Sequence, residues 1–244
     1  PRTASAPART SRWRSTPSAW TTRAAVPPPG RVRPTAAQQR TLSRPQEATT
    51  PGFDRLVHAA GGVSLDNVTV RLTLTGNRNQ RIDILDIQPD IVRKTPPLSG
   101  TYVCAPPQGG PSTMNMMFDM DRPRPIARDV GFGSNDEAIP GKPFFGQRTI
   151  TLGDTEQQVV LARAFTAHHY VAFRLAVTYM LGATEKHTVI DDHGSPFQVT
   201  AINLGPGGKG TSYRRVFSLQ DDYSVCQSAG PGASPAAEKA CKPC

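Results

Sequence analysis

Five side chains in the second half of the chain are of types that serve as metal ligands or general bases: His168, His169, Asp191, Asp192 and His193. Imidazole and carboxylate are the donors that divalent ions and activated waters use. Two turns carrying these residues, brought to one end of a sheet fold, would hold a divalent ion. They would equally supply a hydrolytic base in which His193 pairs with Asp191 or Asp192. The spacing favours a plainer reading. Adjacent histidines seldom place both rings on one ion, and Asp191-Asp192-His193-Gly194 has the composition of a tight hairpin turn. No nearby serine or cysteine has the strand-to-helix context of a nucleophile, and Ser195 precedes Pro196. Turn geometry is the expectation, and metal-dependent or hydrolytic chemistry the alternative.

Two further patterns bear on chemistry. Gly205-Pro206-Gly207-Gly208-Lys209-Gly210-Thr211 superficially matches a phosphate loop. Only two residues separate Gly205 from Gly208-Lys209, however, and Gly210 intervenes before Thr211, so the amides lack the required curl. It reads as a hairpin loop. No cofactor is expected. The four cysteines, Cys104, Cys226, Cys241 and Cys244, allow two disulfides in three connectivities. Cys241-Lys242-Pro243-Cys244 has C-x-x-C spacing but lies in a polar stretch, without the helix start that lowers a redox thiol's pKa. A structural role in an oxidising compartment is expected, tying the C-terminal segment to the folded body.

The charge is distributed unevenly. Residues 1–50 hold nine arginines, no lysine and one acid, Glu47, for a net +8, while the rest carries 19 basic and 18 acidic residues. Net charge therefore gives the body no attraction for nucleic acid. The N-terminal segment, with Trp13 and Trp20 to stack on bases, is a candidate nucleic-acid arm. Its arginines are scattered singly, so a solvated, disordered segment is the expected reading and nucleic acid is not the expected partner. No apolar run reaches the roughly 18 residues of a membrane-spanning helix, and no signal peptide is visible.

The elements that would position these groups are strands. In the run 170–180, Val171, Phe173, Leu175, Val177 and Tyr179 alternate with Ala172, Arg174, Ala176, Thr178 and Met180, the period of a half-buried strand. Val68, Val70, Leu72 and Leu74 mark another. In 81–92 the apolar face switches between Ile84 and Leu85, which predicts a bulge there, and a turn at 76–79 pairs this strand with the previous one as a hairpin. Further strands are expected near 101–104, 114–120, 148–152, 159–165, 186–190, 197–202 and 213–219. Met114, Met116 and Phe118 point inward as core filling. The Pro- and Gly-broken stretch 121–145 reads as surface connection. One long helix over 154–180 is the competing reading, opposed by the Val, Phe, Tyr and Thr content.

The predicted fold is all-β: an antiparallel β-sandwich, immunoglobulin-like or jelly-roll-like, over residues 53–220. Residues 1–52 and 221–244 are expected to be disordered tails.

Three stretches carry a resemblance. Asn67-Val68-Thr69-Val70-Arg71-Leu72, Arg122-Pro123-Arg124-Pro125-Ile126-Ala127 and the residues from Thr188 through Asp191-Asp192-His193-Gly194 to Phe197 resemble a group of uncharacterised actinobacterial proteins. Those proteins carry a β-sandwich beyond an N-terminal membrane anchor. The resemblance spans 65–202 and implies the sandwich, a cell-envelope or extracytoplasmic location and no known reaction. Members often have Trp where this chain has Phe173. Membrane attachment would run through an anchor, in whose place this chain has its Arg-rich segment. The functional expectation is a non-enzymatic binding or interaction module of the envelope, contacting a protein or other envelope component. Its contact surface would be an aromatic face or the loops at 168–169 and 191–197.

Overall fold

The computed structural model describes residues 14–17, 23–26, 61–76, 80–104, 114–134, 137–203, 213, 215–219 and 225–229. They form sixteen strands, and no described residue is helical. The smaller sheet contains β1 (Arg14–Pro17), β4 (Asn67–Thr75), β7 (Met114–Asp119), β8 (Arg128–Phe132), β9 (Ala138–Pro143) and β11 (Gln157–Phe165), in the order β1-β4-β11-β7-β8-β9.

The larger sheet contains β2 (Arg23–Val26), β3 (Val63–Leu65), β5 (Ile82–Thr95), β6 (Thr101–Cys104), β10 (Ile150–Leu152), β12 (Tyr170–Leu181), β13 (Thr184–Ile190), β14 (Phe197–Thr200), β15 (Arg215–Leu219) and β16 (Val225–Ala229). Its order is β10-β5-β12-β14-β3-β2-β6-β15-β16, with β13 on β12.

The two sheets pack face to face as the sequence implies. Alternating residues of β4, β7 and β11 (Leu72, Phe118, Val160) meet those of β5, β12 and β14 (Ile87, Phe173, Val199) in one apolar layer. Both sheets are mixed. β7 runs parallel to β11, β3 to β14 and β6 to β15, so the purely antiparallel arrangement gives way at these three pairings. The reason is connectivity. These neighbours are far apart in sequence, and a chain that returns from the opposite sheet can re-enter in either direction.

Strand β12 gives the larger sheet four core side chains, Val171, Phe173, Leu175 and Val177, buried on one face. The long-helix alternative is thereby excluded. Along one edge β12 pairs with β5 over its whole length; its other edge is shared by β14 at 170–173 and β13 at 175–181. The predicted bulge is present. Thr178 faces Asp86 and Tyr179 faces Ile84, leaving Leu85 as the extra residue, and Val92 is extra in the same way between Ile91 and Arg93. Both bulge residues are exposed. Pro89 lies where β10, which accompanies β5 only from Ile82 to Ile84, no longer pairs with it, so one side of the strand needs no donor there.

Two expectations are corrected. Strands β4 and β5 are not a hairpin: they belong to different sheets. The stretch 121–145 is not mere connection, since β8 and β9 pair within it. The prolines that mask it, Pro140 and Pro143, lie on β9 at the end of the sheet, where one side needs no donor.

Within the N-terminal segment, β1 pairs with β4, and β2 lies between β3 and β6; beyond residue 220, β16 pairs with β15. Trp13, Trp20, residues 205–211, Cys241 and Cys244 lie outside the described residues.

Candidate functional site

A parallel pair of strands leaves a sheet at the same end, and this places the most organised polar cluster of the described residues. Strands β7 and β11 are parallel, with Asp119 opposite Phe165 and the Met120 amide donating to the Phe165 carbonyl. Asp121, the next residue, therefore arrives beside the turn 166–169 that leads from β11 into β12. Its carboxylate closes that turn from three directions. One oxygen accepts from the Thr166 hydroxyl at 2.8 Å and lies 2.7 Å from His169 Nδ1; the other accepts from the Ala167 amide at 2.7 Å. The Thr166 hydroxyl also accepts from the His169 amide at 3.1 Å. Lys94 Nζ donates to the carbonyls of Met120 and Asp121, both at 2.9 Å.

Burial of Asp121 pushes its carboxyl pKa upward, but the donors from His169, Ala167 and Thr166, with the nearby His168, more than offset this and hold it below the usual 3.8. An ionised carboxylate can only accept, so Nδ1 of His169 is the donating nitrogen toward Asp121, which fixes the ring's orientation. An oriented imidazole of this kind is the supporting half of a general base. The one hydroxyl bound to the same carboxylate, Thr166, is engaged with the turn's own backbone, so the chemistry the cluster performs is to fix the β11–β12 connection. His168 lies outside it, exposed, its ring perpendicular to that of His169 at 6.4 Å.

This ionisation links the cluster to pH. Because the folded pKa of Asp121 is depressed, its contribution is fully present above the unfolded value and is lost as pH falls through the folded one. Asp121→Ala is expected to cost about 2 kcal/mol at pH 7, the range for hydrogen bonds to a charged group. The difference from wild type should shrink as urea unfolding is repeated from pH 5 down to about 2. A difference that stays constant with pH would remove the carboxylate from this role.

The second predicted group lies elsewhere. Residues 191–196 join β13 to β14 alongside the middle of β12, near Arg174, whose Nε is 3.8 Å from Asp191 Oδ2. Asp192 and Ser195 exchange backbone hydrogen bonds of 2.8 and 3.0 Å around His193 and Gly194, whose φ angles are 53° and 93°. Positive φ at both central residues is the type I′ pattern, matching the turn expectation. Asp191 Oδ1 accepts from the Gly194 amide at 2.9 Å, and Asp192 Oδ1 lies 2.9 Å from His193 Nδ1.

His168 and His169 thus stand at one end of the sandwich, and Asp191, Asp192 and His193 on a turn beside its middle. No group of three or more His, Cys, Asp or Glu residues suited to a metal ion forms among the described residues. Sequence reasoning missed Asp121 and Thr166. Their only signal was two donors next to a His-His pair and an aspartate 48 residues upstream, and no local spacing connects them.

Six large apolar side chains are exposed among the described residues; Leu85, Val92 and Val189 lie on the larger sheet, and the other three lie on or beside β8 and β9. Phe132, at the end of β8, is 71% exposed, and Ile139 on β9, opposite Gly131, is 40% exposed. Ile126, just before β8, is 38% exposed. Comparison with protein-family models, curated proteins and solved structures returned no match.

Proposed function

We propose that this chain is a non-enzymatic β-sandwich that binds a protein or other component of the cell envelope, outside the cytoplasm. The observation that carries the reading is the β8–β9 hairpin. It closes one end of the smaller sheet and holds Phe132, Ile139 and the adjoining Ile126 in solvent, whereas the comparable side chains of β4, β7 and β11 are buried. Phe132 is opposite Ala138 and Ile139 opposite Gly131, so the two project from opposite faces of the hairpin, and each offers an exposed apolar anchor of the kind interfaces use. The polar candidates favour the same reading, because Asp121, Asp191 and Asp192 serve their own turns. The contact surface accordingly moves from the 168–169 and 191–197 loops to this hairpin.

The test is co-sedimentation of the full chain with envelope fractions of its source cells, comparing wild type with Phe132→Ser/Ile139→Ser. Removing an anchor worth about 2 kcal/mol weakens binding roughly 30-fold. Both positions are exposed, so an unchanged circular dichroism spectrum and unfolding midpoint are expected. Wild-type protein that does not sediment, or a double variant that binds equally, refutes the assignment.

A further inference from the structure

Strand β13 leaves one side of its backbone open. The turn joining it to β12 has two residues, Gly182 and Ala183, with Gly182 at a φ of 60°, and it closes on the pair Leu181 and Thr184. Thr184 therefore bonds across to Leu181, and along an antiparallel ladder the bonding direction alternates residue by residue. The pairing runs without a shift to Leu175 and Ile190, so Thr184, Lys186, Thr188 and Ile190 turn their backbone groups toward β12. Glu185, His187 and Val189 turn theirs away from it. Among the described residues no strand pairs on that side, and Glu185, Lys186, His187 and Val189 are all exposed.

The edge differs from the other open ones. Beyond its short pairing with β10, β5 carries Pro89 and the bulges at Leu85 and Val92; β9 carries Pro140 and Pro143, and β1 ends in Pro17. Prolines and bulges blunt an edge against pairing with another chain. Over its seven residues β13 has neither, and the open strand that also lacks them at the end of the larger sheet, β16, has five.

The strand's own sequence complements this edge. When two identical strands pair about a twofold axis, the residues that exchange hydrogen bonds must both point outward, so the axis passes through a residue. With the axis at Lys186, Glu185 of each copy faces His187 of the other, and Thr184 faces Thr188. With the axis at His187, Glu185 faces Val189; with the axis at Thr188, His187 faces Val189 and Lys186 faces Ile190. The first register sets carboxylate against imidazole twice. Within one chain these two side chains already lie together, His187 Nε2 being 3.4 Å from Glu185 Oε1, while Nδ1 is 3.1 Å from the Thr178 hydroxyl. Pairing would close two carboxylates and two imidazoles into an alternating square. Lys186 meets its counterpart on the opposite face, where the long side chains diverge into solvent.

We propose that β13 is a self-association edge, through which two copies of this chain join their larger sheets by antiparallel β13–β13 pairing centred on Lys186. Each Glu185–His187 pair exchanges two backbone hydrogen bonds, and the ladder ends at Thr188, before the 191–196 turn. Such an interface is small, so association is reversible and depends on concentration. It lies on the larger sheet, whereas Phe132 and Ile139 lie on the smaller, and it stands independently of the hairpin contact.

The experiment is sedimentation velocity of the full chain from micromolar to millimolar concentration, with a monomer–dimer equilibrium expected. His187→Pro removes an amide that β12 does not use, so the β12–β13 hairpin keeps its bonds and the circular dichroism spectrum its shape. Half of the bonds between the copies are lost, and self-association should weaken at least about tenfold. Glu185→Lys should weaken it too, and Glu185→Lys/His187→Glu, which reverses both partners, should bring it back near the wild-type value. If His187→Pro disturbs the fold, the charge-reversal pair decides alone. Wild-type protein that stays monomeric, a dimer indifferent to a folded His187→Pro, or a double variant no better than Glu185→Lys would each overturn the proposal.

Discussion

Phe173→Ala is expected to lower unfolding free energy by about 3–5 kcal/mol, the range for deleting a buried phenyl ring from a packed core. Phe173 is 1% exposed at the middle of β12, where its strand neighbours are Ile91 on β5 and Phe197 on β14. Its ring is tilted 45° against that of Phe197 with centroids 5.7 Å apart, so the variant forfeits an aromatic pair as well as buried area. The cavity would open between strands fixed on both sides, which leaves little freedom to collapse. Phe173→Leu, which refills most of the volume, should cost less than half as much. Urea unfolding monitored by circular dichroism reads both. A cost below about 1 kcal/mol for the alanine variant would show that β12 is not the centre of the core.

Gly76→Ala is expected to cost about 3 kcal/mol or more, although it adds a single methyl group. Gly76 is buried just after β4, and its amide donates to the Glu156 carbonyl at 2.9 Å. A Cβ at this position would fall on the Gly153 carbonyl oxygen, with Leu152 Cβ only 3.5 Å away. The obstruction is backbone, and the Gly153 amide is itself held by the Glu156 carboxylate at 2.9 Å. Relief requires separating the 76 and 153–156 segments and breaking that pairing, which exceeds the usual cost of overpacking, about 1–3 kcal/mol. Thermal unfolding of the variant beside Gly182→Ala makes the comparison. Gly182 has open space around its Cβ position, and its strain comes only from a φ of 60°. If the two variants lose similar stability, the close approach at Gly76 is not what sets its cost.

These positions also mark what the sequence discloses. Phe173 was legible because period-2 alternation depends on one strand and one core face. The Leu85 bulge was legible for the same reason: a face switch within a strand needs an extra residue. Gly76 was recognisable as a special position, but for the wrong cause. It reads locally as a turn glycine, whereas the structure needs it for its approach to the distant Gly153 carbonyl. The β8–β9 hairpin was hidden because proline penalises a strand only where its amide must pair, and that depends on which strand ends the sheet. Asp121 was invisible for a similar reason. Its three donors lie on a turn that only the parallel register of β7 with β11 brings alongside. The Asp191 to Ser195 turn needed no tertiary information and was read correctly.

The long pairing of β5 with β12 also affects how the protein is made. Tyr170 pairs with Thr95 and Leu181 with Ile82, separations of 75 and 99 residues. A ribosome adding about 5–20 residues per second exposes β5 roughly 4–20 s before its partner strand exists. Throughout that wait a segment carrying Ile82, Ile84, Leu85, Ile87, Ile91 and Val92 is an open template for other nascent chains. Asp83, Asp86, Pro89 and Asp90 interrupt those six residues, so that no three apolar side chains are consecutive. Charge and proline at such intervals act as gatekeepers against aggregation. The uneven rhythm of β5, settled into bulges in the finished sheet, protects the chain during synthesis.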